Sequence, residues 1–186
     1  MTFFKKMVLT LTVLFAVVLA GWFHYHTESV YKHVGVQVNA QIEEGVYVAQ
    51  RAPEFQLKTL QGEEKSFQVG EAQITVVHFF ATWCYPCQEE MPIIVDLYNE
   101  LTAQGNRFVA VNLTSSEQGI SQIQPFLTHY KAPFDPLLDE QGLVQDMYQL
   151  FGVPTTLLIN KEGIILKRIN GPLSQQDYEE IVTEAR

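Results

Sequence analysis

Both cysteines of the chain lie in Trp83-Cys84-Tyr85-Pro86-Cys87, two residues after the continuous apolar run of residues 74–80. A run of that length without polar alternation suits a sheet strand covered on both faces. Two thiols three residues apart, where such a strand gives way to a helix, close into a disulfide without moving the backbone. A helix opening at the cysteines puts Cys84 at its N-terminus, where free N–H groups and the macrodipole favour thiolate. Cys87, one turn in, is expected to be more buried and to act as the resolving thiol. Pro86 fits between them because first-turn N–H groups have no helical partner.

Three quieter readings compete. A structural zinc site needs two more ligands, but no cysteine remains and the five histidines are scattered without paired spacing. A purely structural disulfide would close a loop too short to remove much unfolded-state entropy. A relic site has no reason to keep both thiols. Redox chemistry is the stronger reading, with the Cys84–Cys87 disulfide as its own redox centre, no metal and no other cofactor.

The N-terminal stretch has a different character. Lys5 and Lys6 precede residues 7–23, which carry no charge, and the next acidic residue is Glu28. As a helix that run spans about 26 Å, enough to cross a bilayer. Trp22, Phe23 and Tyr25 stand where an interfacial aromatic belt would. Residues 1–26 are therefore expected to be a cytoplasmic stub and a single transmembrane signal-anchor. Val18-Leu19-Ala20 before Gly21 is also a passable cleavage site, so a removable signal peptide stays open. Either way the rest of the chain lies outside the cytoplasm, where a dithiol stays reduced only if electrons reach it across the membrane.

Residues 27–50 are mostly polar and are expected to be a tether. His24, His26 and His33 near it are too few and too loosely spaced for a metal site. Of the 12 basic residues two precede the apolar run, and the rest face 21 acidic ones. That balance argues against nucleic acid and against flat adsorption to anionic lipid.

Residues 51–186 have the periodicity of one α/β domain. Segments 55–57 and 66–69 read as a hairpin around Gln61-Gly62, 74–80 and 107–113 as core strands, and 86–104 as the active-site helix, kinked at Pro92. Helices are expected over 118–130 and 143–151, a short extended piece at 136–138, and a hairpin of 155–160 with 164–169. A last helix over 174–185 has Ser174 as N-cap and Asp177 at the capping-box position. This order implies a central mixed sheet with helices on both faces.

The segment from Ala81 to Pro92, Ala-Thr-Trp-Cys-Tyr-Pro-Cys-Gln-Glu-Glu-Met-Pro, resembles the active-site segment of membrane-anchored thioredoxin-like proteins of the TlpA/ResA group. Ala52-Pro53-Glu54-Phe55 before it and Gly152-Val153-Pro154-Thr155-Thr156 after it match in the same order. The resemblance implies a thioredoxin-like fold and leaves room between Cys87 and Pro154 for that group's extra helix-and-strand insertion. It implies a cis peptide bond before Pro154, with the Val153 backbone facing an extended substrate segment beside Trp83, Tyr85 and Pro86. It also implies a functional Glu90, on the face of Cys87 and one turn on. A partly buried carboxylate there would have a raised pKa and exchange protons with the dithiol; a solvated surface glutamate like Glu89 is the alternative. Trp83 reads either as lowering the dielectric beside the dithiol or as ordinary core. His78 departs from the group, which often carries Asn there. It reads as a core residue with one satisfied hydrogen bond, or else as a proton relay.

By resemblance the chain is a monomeric dithiol reductase of exported disulfide-containing proteins, apocytochrome c among them, supplied by a membrane thiol carrier of the CcdA type. A sister subgroup serves spore-envelope synthesis. A dithiol oxidase would use the same cysteines in the opposite direction. A peroxidase of the related fold would need Pro and Thr where Val77 and Ala81 stand. A binding module without redox function would not need both thiols.

Overall fold

The computed structural model describes residues 8, 11, 13–25 and 43–186 of the 186. The chain divides into two units, Met1–Gln41 and Ile42–Arg186. In the first, residues 13–25 form helix α1, with exposed apolar side chains such as Leu14, Phe15 and Phe23. Among the described residues no helix is long and apolar enough to cross a membrane. Parts of the expected anchor, and the tether up to residue 42, lie outside the described residues.

The second unit is a seven-stranded mixed sheet with strands in the order β2-β1-β5-β4-β3-β6-β7. The strands are β1 Phe55–Thr59, β2 Glu64–Phe67, β3 Ile74–Phe80, β4 Arg107–Asn112, β5 Leu137–Leu138, β6 Thr155–Asn160 and β7 Ile165–Asn170. β3 is parallel to β4 and antiparallel to β6, and every one of its residues is buried. Its alternation divides the core. Val76 and Phe80 pack under α2 (Tyr85–Ala103), α3 (Ile123–His129) and α5 (Gln175–Glu184). Val77 and Phe79 face the opposite side, with Val144 of α4 (Leu143–Met147) and Tyr148. The expected thioredoxin-like sheet with helices on both faces is therefore present.

α2 positions the site. Cys87, Glu90, Met91, Ile94, Leu97 and Leu101 are its buried residues, the three-and-four spacing of a helix with one inward face. The helix continues through Pro92 to Ala103 with Gln104 as C-cap, and Gly105 just beyond takes a left-handed φ of 76° that suits glycine. There the Gly105 N–H donates to the Thr102 carbonyl and the Asn106 N–H to that of Leu101. The Asn106 side chain then accepts from Ile74 N–H at 3.0 Å and donates to the Ala185 carbonyl at 2.7 Å. One residue thus ties the end of α2 to the start of β3 and to the C-terminus.

Three expectations need correcting. Residues 43–50 belong to the domain and not to a tether. The Gly45 N–H donates to the Arg51 carbonyl, the Ala49 N–H to that of Ile165, and Val46 is buried. The expected helix over 118–130 begins as a 3₁₀ turn at Ile120–Gln122 before α3. α4 stops at Met147, and Gln149 just beyond it has a left-handed φ of 48° that a helix cannot accept.

Candidate active site

The turn from β3 into α2 holds the dithiol. Cys84 is the N-cap of α2, in extended conformation, and its sulfur accepts the Cys87 N–H at 3.2 Å. The two cysteines form a disulfide with their Cα atoms 5.2 Å apart. Tyr85 and Pro86 occupy the first two helical positions, where the missing proline N–H leaves no partner wanting. Cys87 is fully buried and Cys84 nearly so. Trp83 is 51 % exposed and Tyr85 66 %, so the core reading of Trp83 fails. It stands in the open turn ahead of the helix.

A second segment closes on the cysteines from β6. The Val153–Pro154 peptide bond is cis, and the Val153 carbonyl oxygen lies 3.4 Å from Cys84 Sγ. Thr155 Oγ1 donates to the Gly152 carbonyl, and the Gly171 N–H donates to the Pro154 carbonyl at 2.8 Å. Two residues before Val153, Phe151 is 96 % exposed. It lies beyond α4 and not at the end of the helix expected over 143–151.

Glu117, in the loop after β4, was missed entirely. Its carboxylate accepts from Thr82 N–H and Thr82 Oγ1–H, both at 2.6 Å, and from Asn112 Nδ2 at 2.9 Å. Gln88 Nε2 donates to the Thr82 carbonyl from α2. Thr82 is therefore held from both sides, two residues before Cys84. The partners are 35 residues apart, and no local pattern marks the pair.

Glu90 is buried, contrary to the surface reading. Its Oε2 accepts the Leu173 N–H at 2.7 Å, and its Oε1 faces His78 Nε2 at 3.5 Å. Burial pushes the Glu90 carboxyl up to about 7, against the opposing effect of the Leu173 N–H. His78 is fully buried and shares the side of β3 with Val76 and Phe80. Burial pulls it down to about 3, so its ring is neutral. His78 Nδ1 lies 2.9 Å from Oγ1 of Thr156, its register partner on β6.

Residues 48–168 match the AhpC/TSA family. The chain belongs to that family. It is 35% identical to the thioredoxin-like protein YneN of Bacillus subtilis over 176 residues, 95% of this chain and 96% of the relative. To the thiol-disulfide oxidoreductase ResA of Oceanobacillus iheyensis it is 36% identical over 131 residues, 68% of this chain and 67% of that one. The crystal structure of StoA from Bacillus subtilis aligns with a TM-score of 0.61 at 31% identity, covering 72% of this chain and 97% of that one. The recognition from the active-site segment therefore holds, and this AhpC/TSA member is a thiol–disulfide oxidoreductase. Within the family's fold, its Cys84–Cys87 pair stands between an exposed aromatic surface and a buried carboxylate.

Proposed function

We propose that the chain is a membrane-tethered dithiol reductase working outside the cytoplasm. The Cys84 thiolate attacks a substrate disulfide, one substrate sulfur leaves as thiolate, and a mixed disulfide forms. Cys87 then loses its proton to Glu90 and attacks the Cys84 sulfur. The Cys84–Cys87 bond forms, the bond to substrate breaks, and the second substrate sulfur leaves with the electron pair. Two electrons pass from the dithiol to the substrate. Val153 offers its backbone to an extended substrate segment, with Pro154 fixing the turn and Trp83, Tyr85 and Pro86 forming the surface beside it.

Glu90 is the observation that carries the direction. A strong dithiol oxidant owes its potential to a stabilised reduced form. A buried carboxylate one turn from Cys87 opposes a thiolate and so favours the disulfide. The protein is therefore a reductant. The uncharged run behind Lys5 and Lys6 supplies the anchor, and the match to YneN over 95% of the chain extends into that stretch. A membrane thiol carrier of the CcdA type would supply electrons. Exported proteins with an accessible disulfide are the substrate class, with the cysteine pair of apocytochrome c the leading member and spore-envelope proteins the second.

The reduction potential tests this. Equilibrating the full chain with thiol buffers and scoring the Cys84–Cys87 pair should give a value near thioredoxin's, about −270 mV. A value near that of the oxidant DsbA, about −120 mV, would make the protein an oxidase.

A further inference from the structure

We propose that Thr156, His78 and Glu90 form one hydrogen-bonded couple beneath the dithiol, in which His78 changes tautomer whenever Glu90 changes protonation state. The proposal deepens the role of Glu90 given above and rests on it for its purpose, but its test needs no turnover.

His78 Nε2 and Glu90 Oε1 are both buried, and neither has a hydrogen-bond partner among the described residues. They face each other at 3.5 Å, longer than a formed hydrogen bond. The other end of each group is already held, Nδ1 by Thr156 Oγ1 and Oε2 by the Leu173 N–H. The rings of Phe80 and Phe108 lie 6.1 and 6.3 Å from the imidazole. Two orphaned polar atoms aimed at each other in the core share a proton or incur the desolvation penalty of both.

A neutral imidazole carries one donor and one acceptor nitrogen. With Glu90 ionised, the Thr156 hydroxyl donates to Nδ1, and Nε2–H donates to Oε1. With Glu90 protonated, Oε1–H donates to Nε2, and Nδ1–H donates to Thr156 Oγ1. Both arrangements keep the ring neutral and pair both ring nitrogens and Glu90 Oε1. Either mismatched combination sets two lone pairs or two hydrogens face to face. His78 thus supplies what a buried carboxyl needs to be stable in both states. When Cys87 hands its proton to Glu90, the couple gains that one proton and reverses polarity, with no charge on the ring. His78 is a positioning residue and acts through Glu90.

The surrounding charges do not compete for this role. In the oxidised protein Cys84 and Cys87 are bonded to each other and do not titrate. Lys167 of β7 is paired at the surface with Asp177 and Glu180 of α5. Burial, and then the charges of Glu100 and Asp96, push up the pKa of Tyr178 of α5. The Glu117 carboxylate is occupied by Thr82 and Asn112.

Nitrogen NMR of the His78 side chain in the oxidised, full-length protein tests the couple. Nε2–H should dominate at high pH and Nδ1–H at low pH, with the midpoint of the Glu90 carboxyl carbon. A single tautomer at all pH values while Glu90 titrates, or conversion to imidazolium, overturns the proposal. In His78→Asn, the ionised Glu90 loses a charge-assisted bond, so its midpoint should rise by roughly one pH unit. His78→Gln, whose amide reaches the ε position, should restore most of that shift. A histidine that merely fills the core predicts no shift in either variant. Should neither variant fold, the tautomer measurement on the unaltered protein decides alone. A protein that proved to be an oxidase could still show the tautomer switch, so the two failures are separable.

Discussion

The Glu117 carboxylate grips Thr82 through both its N–H and its hydroxyl, each at 2.6 Å, and so fixes the turn that presents Cys84. Hydrogen bonds to a charged acceptor contribute about 1.5–3 kcal/mol each, and unpaired buried donors incur a further penalty. Glu117→Ala should destabilise the oxidised domain by about 2–4 kcal/mol in urea titration. It should also slow reduction of a model disulfide more than binding alone explains. A loss within about 0.5 kcal/mol would make the clamp incidental.

Glu90 and His78 give stability opposite pH slopes. The Glu90 carboxyl rises from 4.5 to about 7 on folding, so its contribution is complete below 4.5 and lost as pH climbs through 7. His78 falls from 6.5 to about 3, so its contribution is complete above 6.5 and lost as pH drops through 3. The two nearly cancel between 4.5 and 6.5. Glu90→Gln removes the first slope. Its stability relative to the unaltered protein should improve between pH 4.5 and pH 8 by an amount on the order of 3 kcal/mol. Equal differences at both pH values would contradict the buried carboxyl.

Arg168 binds residues 43–50 to the fold. Its Nη1 donates to the Val46 carbonyl at 2.9 Å and to that of Tyr148 at 3.0 Å, and its Nη2 donates to that of Gln149. Arg168→Ala should speed hydrogen exchange at the Gly45, Ala49 and Arg51 amides by roughly tenfold or more, while β3 amides change far less. Unchanged exchange at those three would mean that the segment is held without Arg168.

Leu97 is fully buried on the inner face of α2. Leu97→Ala should cost about 2–5 kcal/mol in urea unfolding while leaving the order of cysteine reactivity intact. A reversed order would mean that the site depends on core packing more than on the helix terminus.

What could be read from the chain alone was whatever is local. The apolar run of β3, the cysteine spacing, the proline in the first turn of α2 and the Ser174–Asp177 capping box each depend on neighbours a few residues away, and each is where it was expected. The Val153–Pro154 segment came from resemblance and not from spacing. Glu117 was illegible because its partner Thr82 meets it only after β4 has paired beside β3. His78 was half legible. One satisfied hydrogen bond was foreseen, but its second nitrogen meets Glu90 across the strand–helix interface, which no periodicity encodes. Residues 43–50 looked like a tether because Val46-Tyr47-Val48 is too short a run to mark an element, and its neighbours pair with β7 only once the chain has folded.

Chemistry at Cys84 is most directly tested by the two single Cys→Ser variants, reduced and mixed with a cystine-bridged peptide, then resolved by mass without reductant. Cys87→Ser should accumulate a mixed disulfide through Cys84, while Cys84→Ser should carry none. A stable adduct through Cys87 in Cys84→Ser, with none in Cys87→Ser, would contradict the assignment of the attacking sulfur to the head of α2.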